Sequence, residues 1–176
     1  AYGGLNLIRF FPDGKVKVES LKMKKKVFKQ LQENLLLFYT GTTRSASDVL
    51  SDQKYNILNE QSKYDSLVRM TELVEKAYKQ LCESNLEGFG KTLDENWQLK
   101  KSLSNKISNT DIDDIYSLAI KNGALGGKLL GAGGGGFLLF YCNKEHQAQL
   151  RNVLNNLKEI EFKFEMDGTK SIAFKA

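Results

Sequence analysis

Several residue types are scarce in this 176-residue sequence, and each scarcity excludes a class of protein. The only histidine is His146, so neither a Ser-His-Asp triad nor a histidine-rich metal site is expected. The two cysteines, Cys82 and Cys142, lack C-x-x-C spacing, and we interpret both as reduced residues of a cytosolic protein. No apolar run reaches the length of about 18 residues typical of a membrane span, and the N-terminus has no secretion signal. A cytoplasmic protein without a membrane partner is therefore expected.

The charge pattern does not favour a nucleic-acid partner. The sequence carries a formal net charge of +5, with 41% hydrophobic and 27% charged residues, which is ordinary for a globular domain. Its basic residues cluster mainly in segment 22–26 without interleaved aromatic side chains, so this segment is interpreted as a solvated connector. A modest positive charge also suits a protein that handles anionic phosphates. No nucleic-acid partner is expected.

The most distinctive stretch, residues 123–142, is rich in glycine. Seven glycines fall between Gly126 and Gly136, and the uninterrupted apolar run 137–141 follows them. Glycine in a regular element costs roughly 0.5–1 kcal/mol relative to alanine, and its usual benefit is a positive φ or a close backbone approach. A concave run of backbone N–H groups is also a ready anion site. The stretch is therefore interpreted as a phosphate-proximal or substrate-proximal loop, with a purely structural tight connection as the alternative.

Two familiar phosphate motifs do not fit these glycines. Residues 131–136 satisfy G-x-G-x-x-G, but a dinucleotide fingerprint leaves a strand and opens a helix. Here a helical pattern is predicted before the glycines and a strand after them. Gly127-Lys128 is not a P-loop either, because Leu129 stands where Ser or Thr is needed. The glycine motif therefore belongs to another class.

Hydrophobic spacing and turn residues predict an α+β chain. The expected strands are 5–11 and 16–18 around the turn 12–14, then 35–39, 137–141, 161–165 and 171–174. The expected helices are 46–82 with an interruption near 59–63, 86–103, 111–121 and 144–157. Strands that flank helical blocks without strict alternation favour one domain, 1–176, with a mostly antiparallel, ferredoxin-like sheet and helices packed on one face. Asp111, Asp113 and Asp114 are interpreted as a helix start rather than a metal site.

The segment from Lys128 to Phe137 resembles the third, C-terminal motif of the GHMP kinases, the superfamily of galactokinase, homoserine kinase, mevalonate kinase and phosphomevalonate kinase. Within this superfamily the chain is similar to the bacterial D-glycero-D-manno-heptose 7-phosphate kinases. The resemblance extends over further blocks, namely 1–6, 37–41, 44–46, 97–104 and 126–128. It implies the fold of a GHMP kinase C-terminal domain, with which the predicted α+β arrangement agrees.

The resemblance also implies a reaction, the transfer of the γ-phosphate of ATP to the anomeric hydroxyl of a phosphorylated heptose. It implies a nucleotide held mainly by a loop in an N-terminal half, Mg²⁺ on the phosphates, and an acidic residue beside the acceptor hydroxyl. In the heptose kinases that acidic residue would fall before Ala1, so no catalytic residue is assigned in this chain. The chain is therefore expected to be part of a longer kinase, inactive alone, with its own N-terminal ATP-binding domain as partner. A homodimer stays open.

The residues that suit phosphate chemistry divide into two predicted sets. The cofactor-binding set comprises the loop and the lysine before it: Gly131, Ala132, Gly133, Gly134, Gly135 and Lys128. The substrate-binding set, for the sugar phosphate, comprises Thr42, Arg44, Ser45, Trp97, Lys100, Lys101, Gly3 and Gly4. Arg44 offers phosphate a planar bidentate partner, and its alternative is a surface arginine near a helix start. The alternative interpretation of the block 97–101 is an amphipathic helix in which Trp97 lies in the core and Lys100 and Lys101 are solvated.

Two other functions remain open. Another GHMP kinase, such as a fucokinase-like or mevalonate-pathway enzyme, would carry the same motif with a different acceptor. A non-catalytic binding or regulatory module would keep the glycine loop as a structural connection. A substrate panel on the full enzyme distinguishes the other GHMP kinases from a heptose kinase. Binding of phosphate or nucleotide to the isolated chain counts against a non-catalytic module.

Overall fold

A computed structural model describes residues 2–41, 46–131 and 133–170 as a mixed α+β fold, which confirms the predicted class. In chain order the elements are β1 (Asn6–Phe10), β2 (Val16–Ser20), α1 (Lys25–Asn34), β3 (Leu35–Tyr39), α2 (Ala46–Asn59), α3 (Gln61–Cys82), α4 (Leu86–Ser102), α5 (Thr110–Lys121), β4 (Ala124–Leu130), β5 (Phe137–Cys142), a 3₁₀ turn (Lys144–His146), α6 (Gln147–Val153) and β6 (Lys158–Glu159). In these ranges no helix combines the length and the apolar character needed to cross a membrane.

A four-stranded sheet organises the fold, with the order β4-β5-β3-β6 and every neighbouring pair antiparallel. β3 and β5 lie at its centre, where Leu37 is opposite Leu139, and their apolar sequences suit this position. β4 pairs with β5, with a register shift between Ala124 and Gly126. The strands predicted over 35–39 and 137–141 are thus confirmed.

The central strands supply two hydrophobic clusters, one on each face of the sheet, because alternate residues point to opposite faces. On one face, Phe38 and Phe140 belong to a cluster with buried residues of α4, α5 and α6. On the other face, Tyr141 belongs to a cluster with Leu31 of α1. Val27 and Leu31 are four positions apart on α1, which places both on the side that faces the sheet. The helix α1, absent from the sequence prediction, therefore covers the second face.

β1 and β2 form a separate two-stranded hairpin, as predicted. Its turn includes Gly14 at a φ of 81°, a conformation that favours glycine. One face of the hairpin lies towards α3, because Leu7 is buried and Arg9 pairs with Glu75 of α3. The hairpin is thus attached to the helices rather than to the four-stranded sheet.

The long helical region breaks where the sequence predicted, since α2 ends at Asn59 and α3 begins at Gln61. α3 and α4 then pack side by side. Arg69 and Lys76 of α3 both form ion pairs with Glu95 of α4. Exposed pairs of this kind contribute about 1 kcal/mol or less each, so the apolar contacts between the helices carry most of the stability.

Two predictions before the glycine-rich loop are wrong. Residues 124–130 form the strand β4, which the sequence analysis did not anticipate because Gly126 and Gly127 have low strand propensity. Lys25 and Lys26, predicted to lie in a connector, are the first residues of α1. The lysine-rich start of α1 obscured the helical spacing of the apolar residues that follow.

Two predictions after the glycine-rich loop also differ from the structure. Residues 161–165 do not form a strand, because Phe164 N donates a hydrogen bond to Gln32 of α1 and its ring packs on Phe28 instead of continuing the ladder with β3. The predicted helix 144–157 is shorter, since α6 ends at Val153. The strand predicted over 171–174 lies outside the described residues.

Candidate functional site

The glycine-rich stretch forms the connection between β4 and β5, so a strand and not a helix precedes it. Four of its glycines have positive φ values between 72° and 129°: Gly131, Gly133, Gly134 and Gly136. Such values are strained for any residue with a side chain, which explains the glycine density. The loop therefore needs glycine for its own backbone conformation.

The centre of this loop is buried against the segment that precedes α5. Gly133, Gly134 and Gly135 are buried, whereas Gly131 is exposed. Gly134 N donates to Ile107 O at 3.0 Å, and a side chain at Gly133 would come within 2.8 Å of Ile107 Cα. The buried part of the loop is thus a structural connection, and Gly131 is the first residue of the loop and faces solvent.

The loop is also tied to the end of β3. Thr40 N donates to Gly136 O at 2.9 Å, and Thr40 Oγ1 accepts from Gly136 N at 3.0 Å. The predicted substrate residues Thr42, Arg44 and Ser45 follow this strand end in the sequence. These three residues and Ala132 lie outside the described residues, so their roles stay predictions.

A small cavity lies beside the start of the loop, between α3, α4 and β4. Its volume is about 290 Å³, and it is lined by Met70, Asn96, Trp97, Lys100, Lys128, Leu129, Leu130 and Gly131. It joins Lys128 and Gly131 from the predicted cofactor set with Trp97 and Lys100 from the predicted substrate set. No carboxylate is among these lining residues, so the cavity presents positive charge alone.

The positive charge of Lys128 acts on its neighbour in the cavity, Lys100. Burial lowers the pKa of Lys100, and the positive charge of Lys128 lowers it further. Lys100 Nζ donates to Gln53 Oε1 of α2, a neutral acceptor. In the described ranges neither lysine forms an ion pair with a carboxylate. Two ammonium groups without a counter-charge make a site that an anion would stabilise.

Replacing Lys128 with methionine is expected to raise the pKa of Lys100 towards its ordinary value without restoring it. The reason is that the repulsion between the two charges disappears while the burial of Lys100 remains. Titration of the lysine side chains by NMR measures the shift. Lys101→Met serves as the control, because Lys101 forms its own ion pair with Asp113. An unchanged Lys100 pKa in Lys128→Met would show that the two charges do not share a site.

Trp97 lines the cavity and carries a buried hydrogen-bond donor. Its side chain is 1% exposed and packs against Tyr116, with ring centroids 5.9 Å apart. Its Nε1 atom is buried and has no hydrogen-bond partner within the part of the chain that the structure describes. A buried N–H group without an acceptor costs about 1–3 kcal/mol, so an acceptor that reached this atom would stabilise the site.

The other predicted substrate residues lie elsewhere. Lys101 Nζ donates to Asp113 Oδ1 at 2.9 Å and lies 5.9 Å from the centre of the Trp97 ring. Asp113 belongs to the first turn of α5, which confirms the helix-start interpretation. Gly3 and Gly4 contact Met166 near the hairpin, and neither lines the cavity. Of the described substrate set, only Trp97 and Lys100 thus meet at one place.

Close packing between α4 and β4 fixes the two lysines relative to each other. A side-chain carbon at Gly126 would lie 2.1 Å from Gly90 O, so the strand and the helix touch through their backbones. Tyr116 joins the same contact, since its hydroxyl donates to Asp94 Oδ1 at 2.8 Å and accepts from Gly127 N at 3.1 Å. Burial and the neighbouring Asp94 raise the pKa of Tyr116, so it remains a neutral donor.

Sequence reasoning missed Gln53, Asn96 and Tyr116 as residues of this site. Asn96 directly precedes the block 97–104 that carried the family resemblance, so its position was a usable signal. Gln53 and Tyr116 gave no such signal, because their contacts join residues that are distant in the chain. Their roles follow from the fold alone.

The fold of this chain, with the glycine-rich loop between β4 and β5, occurs in known proteins. Mevalonate kinase from L. major has a similar structure, with a TM-score of 0.72 and 22% identity over 88% of this chain and 45% of that one. The model of the family described as "GHMP kinases C terminal" matches residues 77–159. Residues 77–159 therefore match the C-terminal family of the GHMP kinases, which confirms the resemblance seen in the sequence.

Two curated relatives cover nearly the whole chain. The D-glycero-alpha-D-manno-heptose 7-phosphate kinase of Campylobacter jejuni is 29% identical over 97% of this chain and 50% of its own length. The bifunctional fucokinase/GDP-fucose pyrophosphorylase of Arabidopsis thaliana is 29% identical over 92% of this chain and 16% of its own length. The chain thus spans half the length of the first relative and a smaller share of the second.

Proposed function

We propose that this chain is the C-terminal half of a cytoplasmic, ATP-dependent sugar kinase that phosphorylates a sugar phosphate, with heptose 7-phosphate as the acceptor. The observation that carries the proposal is the cavity in which Lys100 and Lys128 face one space without a carboxylate among the lining residues. The similarity to the Campylobacter jejuni heptose 7-phosphate kinase supports the acceptor. An N-terminal half supplies the main nucleotide contacts and the acidic base.

The cavity suits the phosphate group that the acceptor already carries. Two ammonium groups match a dianion, and the Trp97 N–H group and the Asn96 amide offer neutral donors beside them. Lys128, predicted for the nucleotide, lies with Lys100, so we assign both to this one phosphate. Holding the distal phosphate fixes the sugar, and the anomeric hydroxyl is thereby oriented towards the transferred phosphoryl group.

Two further predicted residues are assigned to the proposed site, Gly131 from its position in the structure and Arg44 from its position in the sequence. Gly131 is the exposed glycine of the loop and lines the cavity, so its backbone is available to a ligand. Arg44 follows β3, whose end is tied to the loop through Thr40, and we assign it to the sugar side. ATP and Mg²⁺ supply the transferred phosphoryl group and its charge neutralisation when bound, chiefly at the N-terminal half.

One alternative acceptor has support from the comparisons. The Arabidopsis thaliana relative is named as a fucokinase, and fucose carries no phosphate. An unphosphorylated sugar leaves the Lys100–Lys128 pair without an anion to bind, which favours the phosphorylated acceptor. ADP release by this chain combined with its N-terminal half, measured with heptose 7-phosphate, fucose and mevalonate, separates these substrates. Turnover with fucose alone would replace the heptose assignment.

Inorganic phosphate is expected to bind this chain and to change the fluorescence of Trp97. Trp97 is the only tryptophan in the sequence and lines the cavity, so its emission reports on the site directly. We expect a saturable change with phosphate or sulfate and none with chloride at equal ionic strength, because the oxyanions accept hydrogen bonds from both lysines. A dissociation constant of about 1 mM corresponds to roughly 4 kcal/mol, which two such contacts supply.

Matched lysine variants control the titration. Lys100→Met should abolish the saturable change, whereas Lys101→Met should keep it with an altered starting emission, since Lys101 lies near the Trp97 ring but pairs with Asp113. A titration without saturation, or one that Lys100→Met leaves intact, would contradict the anion site and favour a non-catalytic module with a structural glycine loop.

A further inference from the structure

One face of α2 packs against the rest of the domain and carries a polar side chain between apolar ones. Val49 is buried in the main hydrophobic cluster, and Ile57 packs against the same cluster. Gln53 lies four residues from each of them, so it shares their face of the helix. A glutamine on an inward face costs free energy unless its amide is hydrogen-bonded. The partner of this amide therefore explains why the residue is there.

The partner of Gln53 is Lys100, one of the two lysines of the cavity. Lys100 Nζ donates a hydrogen bond to Gln53 Oε1 at 2.5 Å. An ammonium group has three N–H donors, so this bond leaves the others for a ligand. Gln53 is not among the residues that line the cavity, and it acts on the site through Lys100. It orients the ammonium group and adds no charge of its own.

Contacts on both sides of Gln53 hold α2 in place over this lysine. One residue earlier, Asp52 Oδ1 pairs with Lys106 Nζ at 3.0 Å. Three residues later, Asn56 Nδ2 donates to Leu103 O at 3.0 Å. Both partners belong to the segment that directly follows α4, the helix that carries the cavity lysine. The position of the Gln53 amide is therefore fixed by the fold.

The carboxylate next to Gln53 in the sequence does not serve Lys100. Asp52 accepts a hydrogen bond from Ser104 Oγ and pairs with Lys106, and these two contacts lower its pKa. Neighbouring residues point about 100° apart on a helix, so Asp52 and Gln53 reach different partners. Within the described part of the chain, α2 thus gives a carboxylate to Lys106 and an amide to Lys100.

We propose that Gln53 is a positioning residue that sets the charge of the anion site and makes it selective for a doubly charged phosphate group. This inference rests on the proposed function. Glutamate has nearly the same shape as glutamine, but at this position its carboxylate would pair with Lys100 and leave Lys128 as the unpaired cation. The amide keeps both ammonium charges for the ligand. A phosphate monoester carries about −1.5 to −2 charges at pH 7, so ligand and site match in charge.

Gln53→Glu in the full-length protein tests this inference. Phosphate binding is measured by calorimetry, as the part of the signal that Lys100→Met removes. We expect Gln53→Glu to weaken it at least about tenfold, because the carboxylate repels phosphate and competes for Lys100. The pKa of Lys100, followed by NMR, should rise, because a neighbouring carboxylate favours the charged form. A lysine that is more firmly charged and yet binds phosphate more weakly is not the result of a damaged fold.

Two further variants separate charge from structure. Gln53→Met removes the hydrogen-bond acceptor without adding charge, so we expect phosphate binding within about threefold of the wild type. A merely structural role predicts the opposite order, since glutamate keeps an acceptor and methionine does not. Gln149→Glu adds the same charge at an exposed position of α6 and should leave binding within about twofold, because exposed distant charges are screened. Thermal melts check the folding of each variant.

Each outcome points to one conclusion. Unchanged phosphate affinity in Gln53→Glu, or a larger loss in Gln53→Met, would overturn this inference and leave the proposed function standing. If phosphate affinity falls in the expected order while the KM for heptose 7-phosphate stays the same in Gln53→Glu, the charge role of Gln53 stands and the proposed acceptor is wrong. A wild-type protein that shows no Lys100-dependent phosphate binding would contradict both.

Discussion

Replacing Gly126 with alanine is expected to lower the free energy of unfolding by about 3 kcal/mol, the upper part of the range for overpacked interiors. The new methyl group would lie 2.1 Å from Gly90 O and 2.7 Å from Asp94 N, both of them backbone atoms of α4. A flexible side chain could move away, but here the whole helix must shift from β4. In a domain of this size, that loss lowers the melting temperature by roughly 6–12 °C.

Gly131→Ala is the control for this prediction. Gly131 has a φ of 106° but no atom within 4 Å of the added carbon, so alanine there meets backbone strain without a clash. Such strain costs about 1–2 kcal/mol, which should leave Gly131→Ala more stable than Gly126→Ala in a thermal melt. The reverse order of stabilities would show that the α4–β4 contact is looser than described.

If the proposed function holds, the double variant Lys100→Met/Lys128→Met is expected to raise the KM of the full-length protein for the sugar phosphate by about 100-fold or more. Hydrogen bonds to charged groups contribute about 1.5–3 kcal/mol each, and each 1.4 kcal/mol is a factor of ten. Both lysines line the same cavity, so their loss removes all the positive charge that the described residues give its lining. The KM for ATP should change little, because the nucleotide is proposed to bind chiefly at the N-terminal half.

Lys101→Met distinguishes a specific site from general charge. Lys101 adjoins Lys100 in the sequence, carries the same charge and pairs with Asp113 on another side of α4. Its removal should leave the KM for the sugar phosphate within about twofold, since exposed ion pairs contribute little. If the double variant instead raised the KM for ATP, the cavity would bind the nucleotide, in line with the prediction of Lys128 as a cofactor-binding residue.

Much of the fold follows from local patterns. The turn at Gly14, the break near Asn59 and the apolar strand before Thr40 are signals carried within a few residues, and the structure confirms each. β4 could not be predicted in this way. Gly126 and Gly127 weaken any strand pattern, and only the contact with α4, more than thirty residues earlier at Gly90, explains why glycine stands there.

The residues of the candidate site could be predicted locally, but their arrangement could not. Trp97, Lys100, Lys128 and Gly131 were each predicted from residue type or family resemblance, but in two separate sets. Their meeting in one cavity depends on the long-range contact between α4 and β4, which no local spacing encodes. Lys100 and Lys101 point about 100° apart on a helix, so one reaches the cavity and the other does not. The sequence alone does not show which of the two lysines reaches the cavity.

The backbone contact between Gly90 and Gly126 divides the site into positions that tolerate substitution and positions that do not. The residues at the contact have no side chain to vary, so the frame that carries Lys100 and Lys128 is closed to change. The residues that line the cavity, such as Met70 and Asn96, take no part in that contact and are open to substitution. A change of ligand is therefore expected to require substitutions in the lining and none at the Gly90–Gly126 contact.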